Sequence, residues 1–287
     1  MTFIIVLNWN SPKDTIRCVC SFLDGGVDPE QIVLVDNASE DDSVEQFSRK
    51  LPYIKLLVSE KNLGYAGGNN LGIRYALGQG AKYILVVNND TVLTNSEFLP
   101  SVIRLMDENP QIGLLGPTVR LPDGNIQSTM MGYPTLLQTS INTVNRWRNH
   151  QPTDYSRSQS VEAISGVCFF ARSEVFRQVG LIDESYFMYA EEQDFCCRVK
   201  KAGWEIRYEP VESIVHYHIG SDPTPERWAR KYFYSRRNTV LFCWKNRRPL
   251  QAAIMAAVMS ISLVGRALLS VFSGRRREYL LVWKYFK

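Results

Sequence analysis

Residues 83–91 read Tyr-Ile-Leu-Val-Val-Asn-Asn-Asp-Thr, an apolar, largely β-branched run that stops at three small polar side chains. A run of this length and composition predicts a strand buried on both faces of a parallel sheet. In open α/β sheets, ligands bind outside the carboxyl ends of the strands. Asp90 therefore lies where a metal ion or a phosphate would be bound, although one Asp at a strand end is also ordinary turn chemistry.

The chain before this strand repeats the same arrangement. Further apolar runs predict strands at 3–7, 32–35 and 54–58, and helices are predicted at about 12–23, 40–49 and 70–77. Strands that alternate with helices indicate βαβ units and a doubly wound, mostly parallel sheet. The fold class expected from the sequence is therefore α/β.

Most of these strands end in polar residues. Asn8 follows the first, Asp36 and Asn37 follow the second, and Asn88 and Asn89 precede Asp90. Because the carboxyl ends of adjacent parallel strands meet at one edge of the sheet, these side chains are expected to converge on one crevice. This convergence favours a binding site over a series of unrelated turns.

The third strand leads into a glycine-rich segment, residues 61–70, with sequence Lys-Asn-Leu-Gly-Tyr-Ala-Gly-Gly-Asn-Asn. Its glycines do not satisfy G-x-G-x-x-G, and five residues separate the first of them from the strand, so a Rossmann dehydrogenase is a poor fit. Two interpretations stay open. The backbone could approach a nucleotide closely at these glycines, or the segment could be a plain strand-to-helix turn.

Three carboxylates crowd into one predicted helical turn in the second half of the chain, at Glu191, Glu192 and Asp194. Helical spacing places Asp194 beside Arg198, where an ion pair is expected. Glu192 lacks a basic residue at i+4, so it could have a raised pKa and act as a general base. The alternative is a solvated acidic N-terminus stabilised by the helix dipole.

Two of the three histidines, His216 and His218, alternate along a strand-like run and are expected to face opposite sides, so at most one joins a given site. One aspartate with one histidine could hold Mn²⁺ or Mg²⁺ if substrate phosphates and water complete the coordination.

Composition sets outer limits on the function. The net charge of +4 and the pI near 8.7 permit anionic partners such as nucleotides or lipid headgroups without requiring nucleic acid, which is not expected as a partner. Three histidines exclude a histidine-rich metal site. The six cysteines form no C-x-x-C pair, which disfavours a zinc site or a redox dithiol. No signal peptide is expected from residues 1–7, so a cytoplasmic location is the default.

Taken in order, these segments resemble family 2 glycosyltransferases with a GT-A fold, and in particular bacterial rhamnosyltransferase-like members. The resemblance covers about residues 3–245 and rests on a combination of motifs. The matching segments are residues 35–41 (Val-Asp-Asn-Ala-Ser-Glu-Asp), 62–70, 88–90 (Asn-Asn-Asp), 189–198 (Tyr-Ala-Glu-Glu-Gln-Asp-Phe-Cys-Cys-Arg), 218–221 (His-Ile-Gly-Ser) and 234–238 (Tyr-Ser-Arg-Arg-Asn).

The resemblance implies a role for individual residues. Asp36 would hydrogen-bond the nucleotide base, Asp90 and His218 would bind the metal on the diphosphate, and Glu192 would be the inverting base. Asp194 is the alternative base, and Glu191 belongs to the same acidic block. The other residues expected to bind the nucleotide-sugar are Asn8, Asn37, Asn62, Gly67, Asn70, Asn88 and Asn89.

The sequence departs from the family pattern at two of these positions. Asn88 replaces the first acid of the family's D-x-D motif, and Glu192 replaces the more usual aspartate. The first change leaves Asp90 as the only carboxylate of the motif, which predicts a metal held weakly and bridged by substrate.

The implied activity is inverting, metal-dependent transfer of a sugar, with rhamnose or another deoxyhexose expected, from a nucleotide diphosphate donor. The acceptor would be a glycan or lipid-linked glycan in surface polysaccharide synthesis. A sugar-nucleotide pyrophosphorylase and a non-catalytic glycan- or membrane-binding protein are the alternatives.

Three parts are expected along the chain. Residues 1–115 would form the nucleotide-sugar-binding half and 116–245 the acceptor-binding and catalytic half of one GT-A domain. Residues 246–287 would form an amphipathic helical tail. An apolar helix is predicted from Pro249 to about Phe272, with basic residues before and after it. It would lie on an anionic membrane surface, at the inner face of the cell membrane, or pack on the core or another subunit in an oligomer.

Overall fold

The structure is a computed structural model that describes residues 1–134, 154–217, 224–246, 248–273 and 281–282. Its helices are α1 (Pro12–Asp24), α2 (Ser43–Lys50), α3 (Gly64–Gly78), α4 (Phe98–Glu108), α5 (Ser173–Val179), α6 (Glu191–Lys201), α7 (Pro225–Lys245) and α8 (Pro249–Ser273). Its strands are β1 (Thr2–Asn8), β2 (Ile32–Asp36), β3 (Lys55–Val58), β4 (Tyr83–Asn88), β5 (Thr91–Leu93), β6 (Ile112–Arg120), β7 (Met130–Met131), β8 (Gln159–Ser160), β9 (Ala163–Ile164), β10 (Cys168–Arg172) and β11 (Glu205–His216).

The main sheet runs in the order β3-β2-β1-β4-β10-β6-β11-β5, and β8 pairs with β11 as well. Strands β1 to β4 pair in parallel, as do β6 and β11, and these ladders contain most of the paired residues. Strand β10 pairs antiparallel with both β4 and β6. The α/β class with a mixed, mostly parallel sheet flanked by helices is confirmed.

Strands β1, β2 and β4 lie at the centre of the core. Nearly every residue of these strands is buried, as expected for parallel strands covered on both faces. On one side, Phe22 of α1 and Phe98 of α4 belong to the same apolar cluster as the strand side chains. These layers bury the strand bodies and leave the polar carboxyl ends at one edge.

The predicted start of α3 was wrong. The helix begins at Gly64, six residues before the expected start at Asn70, so residues 64–70 of the glycine-rich segment are helical rather than a loop. A Cβ at Gly68 would lie 2.5 Å from Leu7 Cδ1, and one at Gly72 would lie 2.5 Å from Ile5 Cγ2. The glycines therefore let the helix pack closely on the sheet, which a plain turn would not require. A close approach of this backbone to a nucleotide stays a prediction.

Strand β5 turns back after Asp90 and pairs antiparallel with the end of β11, which places His216 opposite Thr91. The backbone N–H of Tyr217 donates to the carbonyl of Asp90 over 2.7 Å. This pairing joins the turn after β4 to a strand more than 100 residues later. It decides which histidine lies next to Asp90.

Contacts group the chain into two compact units. The first contains Met1–Gly132, Pro152–Phe187 and Glu191–His218, and the second contains Tyr133–Gln151, Met188–Ala190 and Ile219–Lys287. The division at 115 and 245 into donor, acceptor and tail parts concerns substrate roles, which contact grouping does not test, and it stays a prediction.

The second unit is built on α7 and α8. Its small core contains Ala229, Tyr232, Leu263 and Val282, with Phe233 packed against it. The tail helix expected from Pro249 to about Phe272 is confirmed. Over the residues described, the helices include none with both the length and the apolar content needed to cross a membrane.

Candidate active site

Three strand ends meet at the carboxyl edge of the parallel half of the sheet. Asn8 pairs with Asp36 in the register of β1 and β2, and Leu7 pairs with Asn88 in that of β1 and β4. Asp90 follows Asn88 in the turn to β5. The expected convergence of the polar strand ends is therefore present.

Asp36 is fully buried, and both its oxygens accept hydrogen bonds within the protein. Its Oδ1 accepts from Asn8 Nδ2 over 2.8 Å and from Ser39 Oγ over 2.6 Å, and its Oδ2 accepts from Ser39 N over 2.9 Å. These bonds join the ends of β1 and β2. The Asp36 carboxylate therefore stabilises the carboxyl edge of the sheet. Its contact with a nucleotide base stays a prediction.

Thr15, on α1, extends this network toward Asp90. Its hydroxyl lies 2.7 Å from Asn8 Oδ1 and accepts from Asn89 Nδ2 over 2.8 Å. A chain of hydrogen bonds therefore runs from Asn89 through Thr15 and Asn8 to Asp36. The sequence did not predict a role for Thr15, because a threonine in the first turn of a helix has no distinctive pattern.

Asn37 and Asn62 fix the chain just before α3. Asn37 Nδ2 donates to Asn62 Oδ1 over 3.1 Å and to the Gly64 carbonyl over 3.0 Å, and Asn37 Oδ1 accepts from Leu63 N over 2.9 Å. Gly64 itself has a φ of +70°, which favours glycine. In the structure, these two amides stabilise the start of the helix.

Gly67 and Asn70 are also buried inside α3. A Cβ at Gly67 would lie 2.7 Å from the Cβ of Leu63. Asn70 Nδ2 donates to the Ile182 carbonyl over 2.7 Å, and its Oδ1 accepts from Ile182 N over 3.2 Å. Asn70 therefore ties α3 to the segment before α6. The expected sugar-nucleotide contacts of both residues stay predictions.

Asp90 and His216 form the most distinctive pair at this edge. His216 Nε2 lies 2.9 Å from Asp90 Oδ1, and its Nδ1 lies 2.7 Å from Gln127 Oε1. The His216 side chain is 5% exposed and that of Asp90 is 26% exposed. A buried imidazole therefore holds a carboxylate that faces solvent.

The second predicted metal ligand, His218, lies outside the described residues. The sequence showed that only one of the two histidines could join Asp90, and the resemblance selected His218. In the structure His216 contacts Asp90, because β5 and β11 pair in the register that brings them together. The alternation of side chains along a strand does not predict this pairing register.

A divalent cation is compatible with this pair. Both ring nitrogens of His216 face oxygen acceptors, and a neutral imidazole carries one N–H. When its Nδ1–H donates to Gln127 Oε1, neutral His216 presents the lone pair of Nε2 on the side of Asp90, as a metal-ligating histidine does. Among the described residues, no group of three or more His, Cys, Asp or Glu side chains could hold a metal. Asp90 and His216 are thus two of the ligands an ion would need, and substrate phosphates and water would supply the rest.

Glu191 and Glu192 are the first two residues of α6, and both have a raised pKa. One carboxyl oxygen of each, Oε2, is buried without a hydrogen-bond partner in the part of the chain that the structure describes. Burial first, and then repulsion from Glu192, raises the pKa of Glu191 well above its usual range. Burial also raises the pKa of Glu192, while a hydrogen bond from Glu191 opposes the rise. Of the pair, Glu191 is the residue whose pKa is raised more strongly.

Tyr65 of α3 completes the surroundings of this pair. Its hydroxyl donates to the Gly166 carbonyl over 2.6 Å, and burial together with Glu191 and Glu192 raises its pKa. Tyr65, Phe195 and Glu192 line a small space of about 10 Å³. A space of this size holds one water molecule at most. Glu191 is buried and Glu192 is half-buried, so the start of α6 is not the fully solvated N-terminus considered from the sequence.

Asp194 has a structural role. Its Oδ2 accepts from Arg198 Nε over 2.9 Å, and the Asp194 side chain is 4% exposed. Arg198 also donates to the carbonyls of Val179 over 2.7 Å and Leu181 over 2.9 Å. The predicted i,i+4 pair is present, and it fixes α6 to the segment after α5.

The residues just before α6 are held from α7. The fully buried Asn238 donates to the carbonyls of Met188 over 2.8 Å and Tyr189 over 2.9 Å. Tyr189 and Ala190 both have a φ of 70°, a conformation that costs non-glycine residues about 1 kcal/mol or more each. Asn238 belongs to the 234–238 motif of the resemblance. Its contacts show that one residue of this motif stabilises the backbone at Met188 and Tyr189.

A family model described as glycosyl transferase family 2 matches residues 3–180. The chain belongs to this family. The match includes β1 to β4, the turn with Asp90, and most strands of the main sheet. The pyrophosphorylase and the non-catalytic scaffold considered from the sequence are not favoured. As a member of glycosyl transferase family 2, the chain is a glycosyltransferase.

Relatives of established activity match most of this glycosyltransferase. An N-acetylglucosaminyl-diphospho-decaprenol L-rhamnosyltransferase of Mycobacterium tuberculosis is 28% identical over 271 residues, covering 87% of this chain and 86% of that protein. A dTDP-rhamnosyl transferase of Shigella flexneri is 26% identical over 256 residues, covering 87% and 82%. The rhamnosyltransferase-like resemblance is confirmed.

The solved structure of GalNAc-T7 with UDP, GalNAc and Mn²⁺ has the same fold, with a TM-score of 0.58 at 15% identity. The match covers 83% of this chain, which spans about half (50%) of the GalNAc-T7 chain. At this identity the likeness concerns the fold alone. The GT-A fold expected from the sequence is confirmed.

Proposed function

We propose that the protein transfers a deoxyhexose, rhamnose being the best supported, from a nucleotide diphosphate donor to a hydroxyl of a glycan or lipid-linked glycan. The acceptor would belong to surface polysaccharide synthesis. The names of the mycobacterial and Shigella relatives support the sugar, and the first of them supports a lipid-diphosphate acceptor. The main structural support for sugar transfer is the contact of His216 with Asp90 at the carboxyl edge of the sheet.

Asp90 and His216 would hold Mn²⁺ or Mg²⁺ together with the donor diphosphate. A bound cation supplies positive charge to the leaving diphosphate. His216 fixes the direction of the Asp90 carboxylate, because Gln127 holds the other side of its ring. With Asn88 in place of an acid, the chain binds the ion through few ligands of its own. We therefore expect binding of the ion to depend on donor.

Glu192 would accept the proton of the acceptor hydroxyl. The hydroxyl oxygen forms a bond to the anomeric carbon as the bond from that carbon to the diphosphate oxygen breaks, so the configuration inverts. Burial raises the pKa of Glu192, which suits a group that takes up a proton, and hydrogen bonds from its own backbone and with Glu191 limit the rise. Asp194 is committed to Arg198, so Glu192 is the better supported base.

Replacing Asp90 with asparagine should lower kcat/KM for sugar transfer by at least about 100-fold, because the variant loses the negative charge that binds the cation at the diphosphate. Release of nucleotide diphosphate from dTDP-rhamnose in the presence of Mn²⁺ or Mg²⁺ would measure it. Asp123→Asn removes an exposed carboxylate of the same unit and serves as the control. An Asp90→Asn protein with the wild-type rate and wild-type sensitivity to chelators would refute the assignment.

Helix α8 is proposed to bring the enzyme to the inner face of the membrane as a peripheral protein. Its exposed apolar side chains recur at helical spacing and include Leu250 and Ile261, each 72% exposed, and Val258, 57% exposed. Lys245, Arg247 and Arg248 precede the helix and Arg275, Arg276 and Arg277 follow it. An apolar face between basic ends is typical of helices that lie on anionic bilayers.

Changing Ile254, Val258 and Ile261 together to serine should lower co-sedimentation with phosphatidylglycerol vesicles by at least about tenfold, because each apolar side chain contributes roughly 1 kcal/mol to insertion. Tyr53→Ser, which changes an exposed aromatic side chain of the first unit, is the control. Equal sedimentation of the triple variant and the wild type would contradict the membrane assignment.

A further inference from the structure

We infer that a cavity between α7 and α8 binds the isoprenoid diphosphate part of a lipid-linked acceptor. This inference rests on the proposed function, since it specifies the acceptor of that reaction. The cavity has a volume of about 440 Å³, which is within the range of small-ligand pockets. All the residues that line it belong to the second unit.

The walls of the cavity are mostly apolar. Both helices contribute, together with one residue beyond α8, and the apolar side chains are Phe233, Val240, Ala256, Met259, Leu263 and Val282. Leu263 and Val282 belong to the small core of the unit, whereas Phe233, Val240 and Met259 are only half-buried. An apolar space with half-buried walls favours a hydrocarbon chain.

Two guanidinium groups lie in the same wall. Arg236 is half-buried and stacks on Tyr232, with its guanidinium carbon 3.4 Å from the ring centre. Arg237 is exposed, and its Nη1 donates to Asn238 over 2.7 Å. These contacts hold two adjacent positive charges in defined positions. Guanidinium groups bind phosphate oxygens through paired, charge-assisted hydrogen bonds.

The combination selects one occupant. A hydrocarbon wall alone would accept any acyl chain, and a pair of arginines alone would accept any phosphate. Together they match a molecule with an apolar chain that ends in two linked phosphates. Helix α8 faces the cavity with Ala256 and Met259 and exposes Ile254, Val258 and Ile261 elsewhere on its surface. The helix proposed to lie on the membrane is thus the one that would take a lipid from it.

Isothermal titration of the full chain with farnesyl diphosphate tests the inference without any transfer reaction. We expect farnesyl diphosphate to bind at least about tenfold more tightly than farnesol or inorganic diphosphate, because both halves of the site then contribute. Ala256→Trp fills the cavity and should weaken binding by at least about tenfold. Ala253→Trp places the same side chain on an exposed position of α8 and should leave binding unchanged.

A second variant covers the case in which Ala256→Trp does not fold. Arg237→Gln changes an exposed residue and should weaken farnesyl diphosphate by about tenfold while leaving farnesol unaffected. Wild-type affinity in either folded variant would overturn the inference. So would equal affinity for dodecyl phosphate, which would show that the cavity recognises neither the isoprenoid chain nor the second phosphate. None of these outcomes depends on sugar transfer, so a failure of the proposed function would be seen separately.

Discussion

Replacing Glu192 with glutamine is expected to lower kcat by about 100- to 10,000-fold, the usual contribution of a general base. Glutamine has nearly the same size and keeps a hydrogen-bond acceptor, but it cannot take the acceptor proton. The KM for the nucleotide-sugar should change little, because Glu192 acts on the acceptor hydroxyl. Steady-state kinetics with donor and acceptor varied separately would measure both constants.

The neighbouring Glu191 provides a matched comparison. Glu191→Gln keeps a donor to Glu192, so kcat should fall much less than in Glu192→Gln. Asp194→Asn tests the alternative base. If kcat fell 100-fold or more in Asp194→Asn and hardly at all in Glu192→Gln, the base would be Asp194 and the assignment of Glu192 would be wrong.

The stability of the Glu191→Gln variant should also differ from that of the wild type, with a definite sign. Burial raises the pKa of Glu191 in the folded chain above its ordinary value of 4.5, and the other titratable groups that face the pair are Tyr65 and Cys196. The folded wild type therefore binds a proton more tightly than the unfolded chain and loses stability as the pH rises above 4.5. Glutamine lacks this dependence. The variant should unfold at higher urea than the wild type at pH 7, and the difference should shrink toward pH 4.

Replacing Arg198 with methionine is expected to lower the free energy of unfolding by about 3 kcal/mol, since breaking a buried ion pair leaves an uncompensated charge. Asp194, with a side chain 4% exposed, would lose its partner, and the carbonyls of Val179 and Leu181 would lose their donors. A loss of this size is a large part of the stability of an ordinary domain. Urea unfolding followed by circular dichroism would measure it.

The control for Arg198→Met is Arg74→Met. Arg74 pairs with Glu184 at 2.7 Å, but both side chains are about half exposed, at 52% and 46%. Exposed pairs contribute roughly 0–1 kcal/mol because water screens them. A loss below 1 kcal/mol in Arg198→Met, comparable to that of the control, would show that the pair around Asp194 does not stabilise α6.

The sequence predicted the parallel half of the fold well because that half is encoded locally. Most strands there are short apolar runs that end in a polar residue. The early start of α3 was missed because glycine has low helix propensity. Close packing of Gly68 and Gly72 against β1 and β2 overrides that propensity, and packing of this kind cannot be read along one segment.

The site was predicted less completely than the fold. The sequence indicated Asp90, Glu192 and the polar strand ends, because each lies at a recognisable place in its element. It did not predict Thr15, which makes two hydrogen bonds in the network, or Gln127, which makes one to His216, because neither residue belongs to a recognisable pattern. It assigned a sugar-nucleotide role to Asn70 and a possible catalytic role to Asp194. The structure shows that both residues also make bonds within the protein, and the assigned roles stay predictions.

The stretch at 83–91 determined by itself that a buried strand ends in a polar turn with one carboxylate. What lies beside that carboxylate was decided by tertiary structure. Strand β5 pairs with the end of β11, and this register places His216 Nε2 2.9 Å from Asp90 Oδ1. Alternation along a strand fixes which residues share a face. Which face of β11 meets Asp90 depends on the partner strand and on the pairing register. Hydrogen bonds between segments far apart in the sequence determine both.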